Sequence, residues 1–266
     1  MFRRNAQDPV PVSCTLDQLL AHSDRFRKDL QATKNALAPA DKWYPWDILS
    51  NLHHLNALLS PANRDLGALA GGLPVADIGA ADGDLAFLLA SYGFTVDIVD
   101  YGPTNWNGLR GATMLEEHLK LGVHIHETDL DEQFRLPRPT YGLVFFLGIL
   151  YHLQNPLYAL RHLAGCSDHL LLSTRVARVT ADASVRLDDA PVAYLLDPLE
   201  TNNDSTNWWI FSPKGLDRLL DRAGWDVLDT MNAGDVSGES NPSSADHDER
   251  AFFLLRSRRL GASRVD

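Results

Sequence analysis

Cysteine is scarce in this chain. Cys14 and Cys166 are the only two, and neither belongs to a C-x-x-C pair. That count argues against a disulfide-braced scaffold and against a thiolate metal site. Long apolar runs are missing too. The longest candidate, residues 143–150, has the length of a strand, far below the roughly 18 residues that a bilayer span requires. No membrane association is expected. The opening Met1-Phe-Arg-Arg-Asn5 carries charge with no apolar stretch behind it, which argues against a secretory leader and for a cytoplasmic location. Basic residues are also in deficit: 24 Lys and Arg stand against 35 Asp and Glu, a net charge of −11. That is the wrong sign for a protein whose affinity rests on neutralising phosphates, so a small-molecule partner is expected rather than a nucleic acid. Nothing in the sequence speaks to oligomeric state.

What is present is ordinary globular composition, 45% hydrophobic and 22% charged. Nearly all of the charge deficit lies between residues 181 and 250, which hold 15 acids and 5 bases. Such a segment forms a solvated acidic surface, or a rim that repels polyanions and favours neutral or cationic substrates.

The chain divides into a helical leader, 1–72, and a larger unit, 73–260. Thr15-Leu-Asp-Gln18 fits a capping box and is followed by Leu19, Leu20, Phe26 and Leu30 at roughly helical spacing. A second helix is expected over 46–59, and Gly71-Gly72 closes the leader. From Leu73 onward short apolar strands alternate with helical stretches, the pattern of a doubly wound α/β sheet. Strands are expected at 74–78, 95–100, 123–127, 142–147 and 169–174, with helices at 83–92, 109–121 and 156–164. After an insertion at about 175–212, Ser212-Pro213 opens another helix to Ala223. Two late strands, 225–230 and 251–256, are compatible with an antiparallel edge pair, which makes seven strands in a mostly parallel sheet. The tail after Arg256 is expected to fray.

The most informative segment is Val75-Ala-Asp-Ile-Gly-Ala-Ala-Asp-Gly-Asp84. A buried strand ends at Ile78, the chain turns on Gly79, and a helix starts near Gly83. Ligands of such sheets sit beyond the carboxyl ends of the strands, where the backbone must approach closely. The dinucleotide fingerprint would need glycines at 79, 81 and 84, and no G-x-x-x-x-G-K-[ST] segment occurs. Asp84 at a helix start would repel a pyrophosphate but suits a nearby cation. Asp100 ends the second strand, 17 residues beyond Gly83, where an acid accepts hydrogen bonds from both ribose hydroxyls. Asp129, beyond the third strand, could accept from an adenine amine.

On these residues the sequence resembles the class I S-adenosylmethionine-dependent methyltransferases over about 71–256. Asp77-Ile-Gly-Ala-Ala-Asp-Gly83 matches their D-x-G-x-x-x-G motif, with Ala81 where a third glycine is frequent. The resemblance implies a Rossmann-like fold and S-adenosylmethionine as cofactor. It would set Gly79 and Gly83 along the methionine portion and Asp77 on its ammonium side. Asp100 would meet the ribose and Asp129 with Leu130 the adenine, and Ala81, Tyr101 and Leu147 are expected among the cofactor-binding residues. A smaller part, Phe146-Leu-Gly-Ile-Leu-Tyr-His-Leu-Gln-Asn-Pro156 with Trp43-Tyr-Pro-Trp46 upstream, is similar to the tRNA wobble-uridine (carboxy)methyltransferase-like group. There a tyrosine, matched by Tyr151, helps to hold a carboxylated cofactor.

Methyl transfer needs positioning and a nucleophile in the right protonation state. His152, directly after the fourth strand, is the candidate base, or else a histidine bonded to backbone at a helix entrance; Tyr151 stands beside it. The stretch Glu200–Pro213, rich in Asn and Trp, reads as a substrate-side lid with Asn207 and Trp208 as contacts, or as Asn and Asp turns with Trp208 or Trp209 anchoring the loop to the core. Arg175, just after the fifth strand, could fix an acidic group on the substrate or pair with a surface acid, and Trp106 could flank the cofactor. His124 and His126 share a strand face without a third ligand at matching spacing, so no metal is expected. The leading expectation is a methyltransferase acting on an oxygen or nitrogen of a small molecule. The alternatives are an RNA-modifying enzyme of the wobble-uridine kind and a non-catalytic S-adenosylmethionine-binding partner protein.

Overall fold

A computed structural model describes residues 12–243 and 246–260. The opening five residues and the tail beyond residue 260 lie outside the described residues; the first part of the tail expected to fray does not, since Ser257 still pairs with Trp225 and Leu260 is buried.

The leader forms its helices for local reasons. The capping box at Thr15 is complete: its Oγ1 accepts from Gln18 N at 3.3 Å, and Gln18 Oε1 accepts from Thr15 N at 2.8 Å. Helix α1 (Leu16–Leu37) then buries Leu16, Leu19 and Leu30. The second helix starts later than expected. A 3-10 turn at Ile48–Ser50 leads into α2 (Asn51–Leu58), because Trp46 is exposed and Asp47 is extended. A short α3 (Leu66–Ala70) ends on Gly71 in the left-handed region, φ 58°. The apolar faces of α1 and α2 join Val75, Phe87 and Leu254 in one core cluster, so the leader packs as a layer on the sheet.

The sheet contains β1 (Val75–Ile78), β2 (Val96–Asp100), β3 (His124–Glu127), β4 (Tyr141–Leu147) and β5 (Ser167–Val176). They run parallel in the order β3-β2-β1-β4-β5. The connecting helices are α4 (Asp84–Ser91), α5 (Arg110–Leu119) and α6 (Pro156–Cys166). Strands β6 (Ala193–Leu195) and β7 (Trp209–Phe211) pair with each other and join β5 only through Val176 and Phe211. Neither was expected: each is three residues long, in a segment without alternation. Helix α7 (Pro213–Ala223) follows, capped by Ser212 Oγ accepting from Gly215 N. Strands β8 (Trp225–Gly234) and β9 (Glu249–Ser257) are antiparallel, β9 lying against β5 and β8 outermost. Both outrun their expected limits.

Two core clusters line the two faces of the sheet. Val75, Leu143, Phe145 and Leu171 point to one, Ala76, Val144, Phe146, Leu170 and Leu172 to the other. Apolar residues on both faces in turn are what a parallel sheet covered on each side requires. Chain order reverses between β1 and β4, which opens a crevice beyond their carboxyl ends.

Candidate active site

At that crevice the glycine turn leaves β1 under tight constraint. Gly79 has φ +70°, a region that favours glycine, and a Cβ there would lie 2.1 Å from Ile149 Cδ1, so any other residue would have to displace that side chain. Ala81 adopts φ 54°, a left-handed conformation that costs an L-residue roughly 1–2 kcal/mol. Its backbone is pinned from both sides. Ala81 N donates to Asp100 Oδ2 at 3.2 Å, and Ala81 O accepts from Asn105 Nδ2 at 3.2 Å. Asp100 also accepts from Tyr101 N at 2.7 Å and from Asn105 Nδ2 at 2.9 Å. A carboxylate has about four acceptor positions, so three protein donors leave Asp100 roughly one for a ligand. Asp77, buried at the end of β1, has an Oδ2 with no hydrogen-bond partner. Burial, with the charge of Asp100, pushes its carboxyl up to about 7.

Asp82 ties this turn to the leader. Its Oδ2 accepts from Lys34 Nζ at 3.1 Å and from Tyr44 N at 2.8 Å, and its Oδ1 accepts from Asn107 Nδ2 at 2.7 Å. Lys34 also lies 2.7 Å from Asp84 Oδ1 and 5.5 Å from the Trp43 ring centroid. The cation that Asp84 suits is thus the protein's own. Gly111 makes room for the latch, since a Cβ there would come within 2.1 Å of Asp82 Oδ1. The latch holds Tyr44 at the crevice, next to exposed Trp46 and Trp106, with ring centroids 5.1 Å and 6.4 Å from that of Tyr44.

The opposite wall follows β4. A 3-10 turn at Leu150–His152 carries Tyr151 and His152, ring centroids 4.4 Å apart. His152 Nδ1 is 2.9 Å from Thr206 Oγ1, and Trp208 N donates to Tyr151 O at 2.8 Å. The 200–208 loop is therefore stitched onto this turn. Arg250 Nη1 donates to Tyr151 Oη at 3.4 Å, with its guanidinium carbon 5.8 Å from the ring centroid. Tyr44 is within electrostatic reach of Tyr151, Arg250, Asp100 and Asp204, so both walls face one mouth; burial pushes its hydroxyl up.

The sequence candidates fare unequally. Asp77, Gly79, Ala81, Gly83 and Asp100 gather at the turn, and Tyr101 follows Asp100 half-buried. Asp129 accepts from Asp131 N at 2.9 Å, Leu130 is buried, and Leu147 ends β4. Asn207 is buried within its loop, its Nδ2 donating to Thr201 O at 3.0 Å, whereas Trp208 is 37% exposed. Arg175 lies inside β5 rather than after it, because pairing with β9 continues to Glu249. It is 2% exposed, with its Nε 2.9 Å from Asp248 Oδ1. His124 and His126 stack with centroids 6.4 Å apart, and no metal-holding group of three or more His, Cys, Asp or Glu occurs among the described residues. Sequence reasoning missed Lys34, Asn105 and Arg250 as site components, and it covered Tyr44, Asp204 and Thr206 only through the Trp43–Trp46 and Glu200–Pro213 segments, without singling them out. Of the three missed, Asn105, in Pro103-Thr-Asn-Trp-Asn107 directly beyond β2, carried a local signal, namely a polar turn at a strand's carboxyl end. A groove of about 950 Å³ lies elsewhere, between α6 and α7, lined by Leu157, His162, Trp209 and Leu219 among others.

A five-stranded parallel core with a glycine turn after β1, an acid after β2 and an antiparallel strand against β5 defines a class I, Rossmann-like methyltransferase fold. The chain belongs to the methyltransferase-domain family, whose model matches residues 46–230. It is an S-adenosylmethionine-dependent methyltransferase. Its fold is similar to that of the N-terminal domain of EvdMO1 with SAH bound, at 19% identity and TM-score 0.56 over 87% of this chain and 97% of that one. An S-adenosylmethionine-dependent methyltransferase from Mesorhizobium loti matches at 17% identity and TM-score 0.56, over 77% and 97% of the two chains. The [4+2]-cyclase SpnF matches at 14% identity and TM-score 0.51, over 70% and 75%. Among curated proteins none matches this sequence.

The residues at the crevice fit the cofactor. Asp77 offers a buried, unpartnered carboxylate oxygen to an ammonium, Asp100 keeps acceptor capacity for a hydroxyl, and the glycine turn brings bare backbone to the same space.

Proposed function

We propose that the protein methylates an oxygen or nitrogen nucleophile of a small molecule, with His152 as base. The observation that carries this reading is the shared mouth, where Tyr44 from the leader, Tyr151 and His152 after β4, and Arg250 from β9 come together beyond the glycine turn. Asp77, Gly79, Ala81 and Gly83 would hold the methionine portion of the cofactor, Asp100 and Tyr101 the ribose, Asp129 and Leu130 the adenine, with Leu147 alongside. When bound, S-adenosylmethionine supplies an electrophilic methyl group on a sulfonium that departs as a neutral thioether. The chain's own residues then need only orient the acceptor, exclude water and remove one proton. Trp208, with Trp46 and Trp106 on the facing rim, offers aromatic cover for an acceptor. Burial pulls His152 below the ordinary histidine value, which keeps its imidazole neutral and able to take a proton near neutral pH. The small-molecule reading gains support from a neighbour crystallised in the presence of SAH and D-fucose.

A second reading, the wobble-uridine group's carboxylated cofactor, has one observation in its favour: the Arg250 guanidinium beside Tyr151 is a cation of the kind a carboxylate would need. The acidic 181–250 segment counts against its RNA substrate.

The test is conversion of S-adenosylmethionine to S-adenosylhomocysteine with a panel of hydroxyl- and amine-bearing small molecules, RNA being absent. Mass-shifted acceptor is the expected result. Turnover only with tRNA would reverse the choice. Consumption of an acceptor without methylation would align the protein with the cyclase neighbour instead.

A further inference from the structure

We infer that Thr206 and Asp204 are positioning residues that fix the tautomer of His152, leaving its Nε2 lone pair free to accept the acceptor's proton. The inference rests on the base role proposed above and extends it to two residues of the insertion.

Proton counting at Thr206 carries it. The Thr206 hydroxyl has one proton and two lone pairs. Its Oγ1 lies 2.7 Å from Asp204 Oδ1, which also accepts from Thr206 N at 2.9 Å. A carboxylate only accepts, so the hydroxyl proton points to Asp204. Toward His152 Nδ1, at 2.9 Å, Thr206 then has only a lone pair to offer. Nδ1 must be the protonated nitrogen, and in a neutral imidazole Nε2 is then unprotonated. The alternative tautomer would set two lone pairs against each other at 2.9 Å inside a half-buried turn.

The surroundings are consistent with a neutral ring that becomes charged in turnover. Burial and the Arg250 charge disfavour the imidazolium, Asp204 favours it, and the Tyr151 ring lies against the imidazole. When the proton leaves the acceptor's O–H or N–H, its bonding pair stays on the acceptor atom and Nε2 gains the N–H bond. Nδ1–H stays on Thr206, and Asp204 stabilises the new positive charge through that hydroxyl. The loop is held for this purpose at a second point, where Trp208 N donates to Tyr151 O.

The test reads the tautomer directly. In ¹⁵N-histidine-labelled protein at neutral pH, the His152 resonances are assigned by their loss in His152→Gln. We expect Nδ1 protonated and Nε2 bare. Thr206→Val should shift the ring toward Nε2–H and lower kcat by ~10²-fold with the KM for S-adenosylmethionine unchanged, and Thr206→Ser should restore both. Nε2–H in the native protein overturns the relay and proton acceptance at Nε2; the turnover of His152→Gln then decides separately whether His152 is a base at all. A switched tautomer with undiminished turnover overturns the base role, and positioning for catalysis with it. The native spectrum needs no variant, so a poorly folding Thr206→Val leaves the first outcome decisive.

Discussion

At the scale of single residues, the site depends on carboxylates kept where water would not leave them. Asp77 is the extreme case. With its carboxyl pushed up to about 7 in the folded protein, against 3.8 for the free side chain, the ligand-free fold holds a proton that the unfolded chain has already released. Stability of the free protein should therefore fall as pH rises from about 4 to about 7. Docked at Asp77 as proposed, the cofactor's ammonium would favour the ionised form, so binding below pH 7 should expel a proton and affinity should climb toward neutrality. Calorimetry at pH 6 in buffers of different ionisation enthalpy reads that proton; Asp77→Asn should abolish its release, and an unchanged release would move the titration to another group. Ala81 shows the same economy of space, since its left-handed backbone is held by Asp100 and Asn105 without a glycine.

At the scale of elements, the leader and the sheet share one polar joint. Lys34 is 7% exposed and Asp82 1%, so neither charge has water to fall back on. Lys34→Met strands Asp82 and Asp84 and should cost about 3–5 kcal/mol in denaturant unfolding. It should also weaken cofactor binding through the turn; a loss under 1 kcal/mol, with binding intact, would reduce the joint to decoration. Gly79→Ala should abolish binding because its methyl would enter Ile149, and Gly79→Ala with Ile149→Ala should recover part of it, short of native because φ stays at +70°. These elements differ in how far the sequence announces them. The five parallel strands, the capping box and the Ser212-Pro213 helix start all follow from short-range pattern. Strands β6 and β7 exist only by tertiary pairing, and nothing near Lys34 marks a partner 48 residues away. Arg250 was silent for the same reason, since β9 brings it to Tyr151 from 99 residues downstream.

For the whole molecule, the acidic segment is less free than its composition suggests. Arg178 binds both Asp188 and Glu249, Arg186 reaches Asp188 and Glu239, and Asp235 lies 2.6 Å from His247. A net −10 still remains across 181–250, on the side of the chain that supplies the mouth with His152's partners. Transfer RNA should accordingly bind weakly and without selectivity, even at low salt where attraction would be greatest. Tight, steeply salt-dependent binding to one tRNA would reassign the acceptor. Calorimetric titration of native protein and of Asp100→Ala tests most directly whether the crevice between β1 and β4 holds the cofactor. Native protein should bind S-adenosylmethionine and S-adenosylhomocysteine but not NAD, and Asp100→Ala should lose roughly 1.5–3 kcal/mol of that affinity as a charge-assisted hydrogen bond disappears. Equal affinity in the two proteins, with both folded, would contradict it.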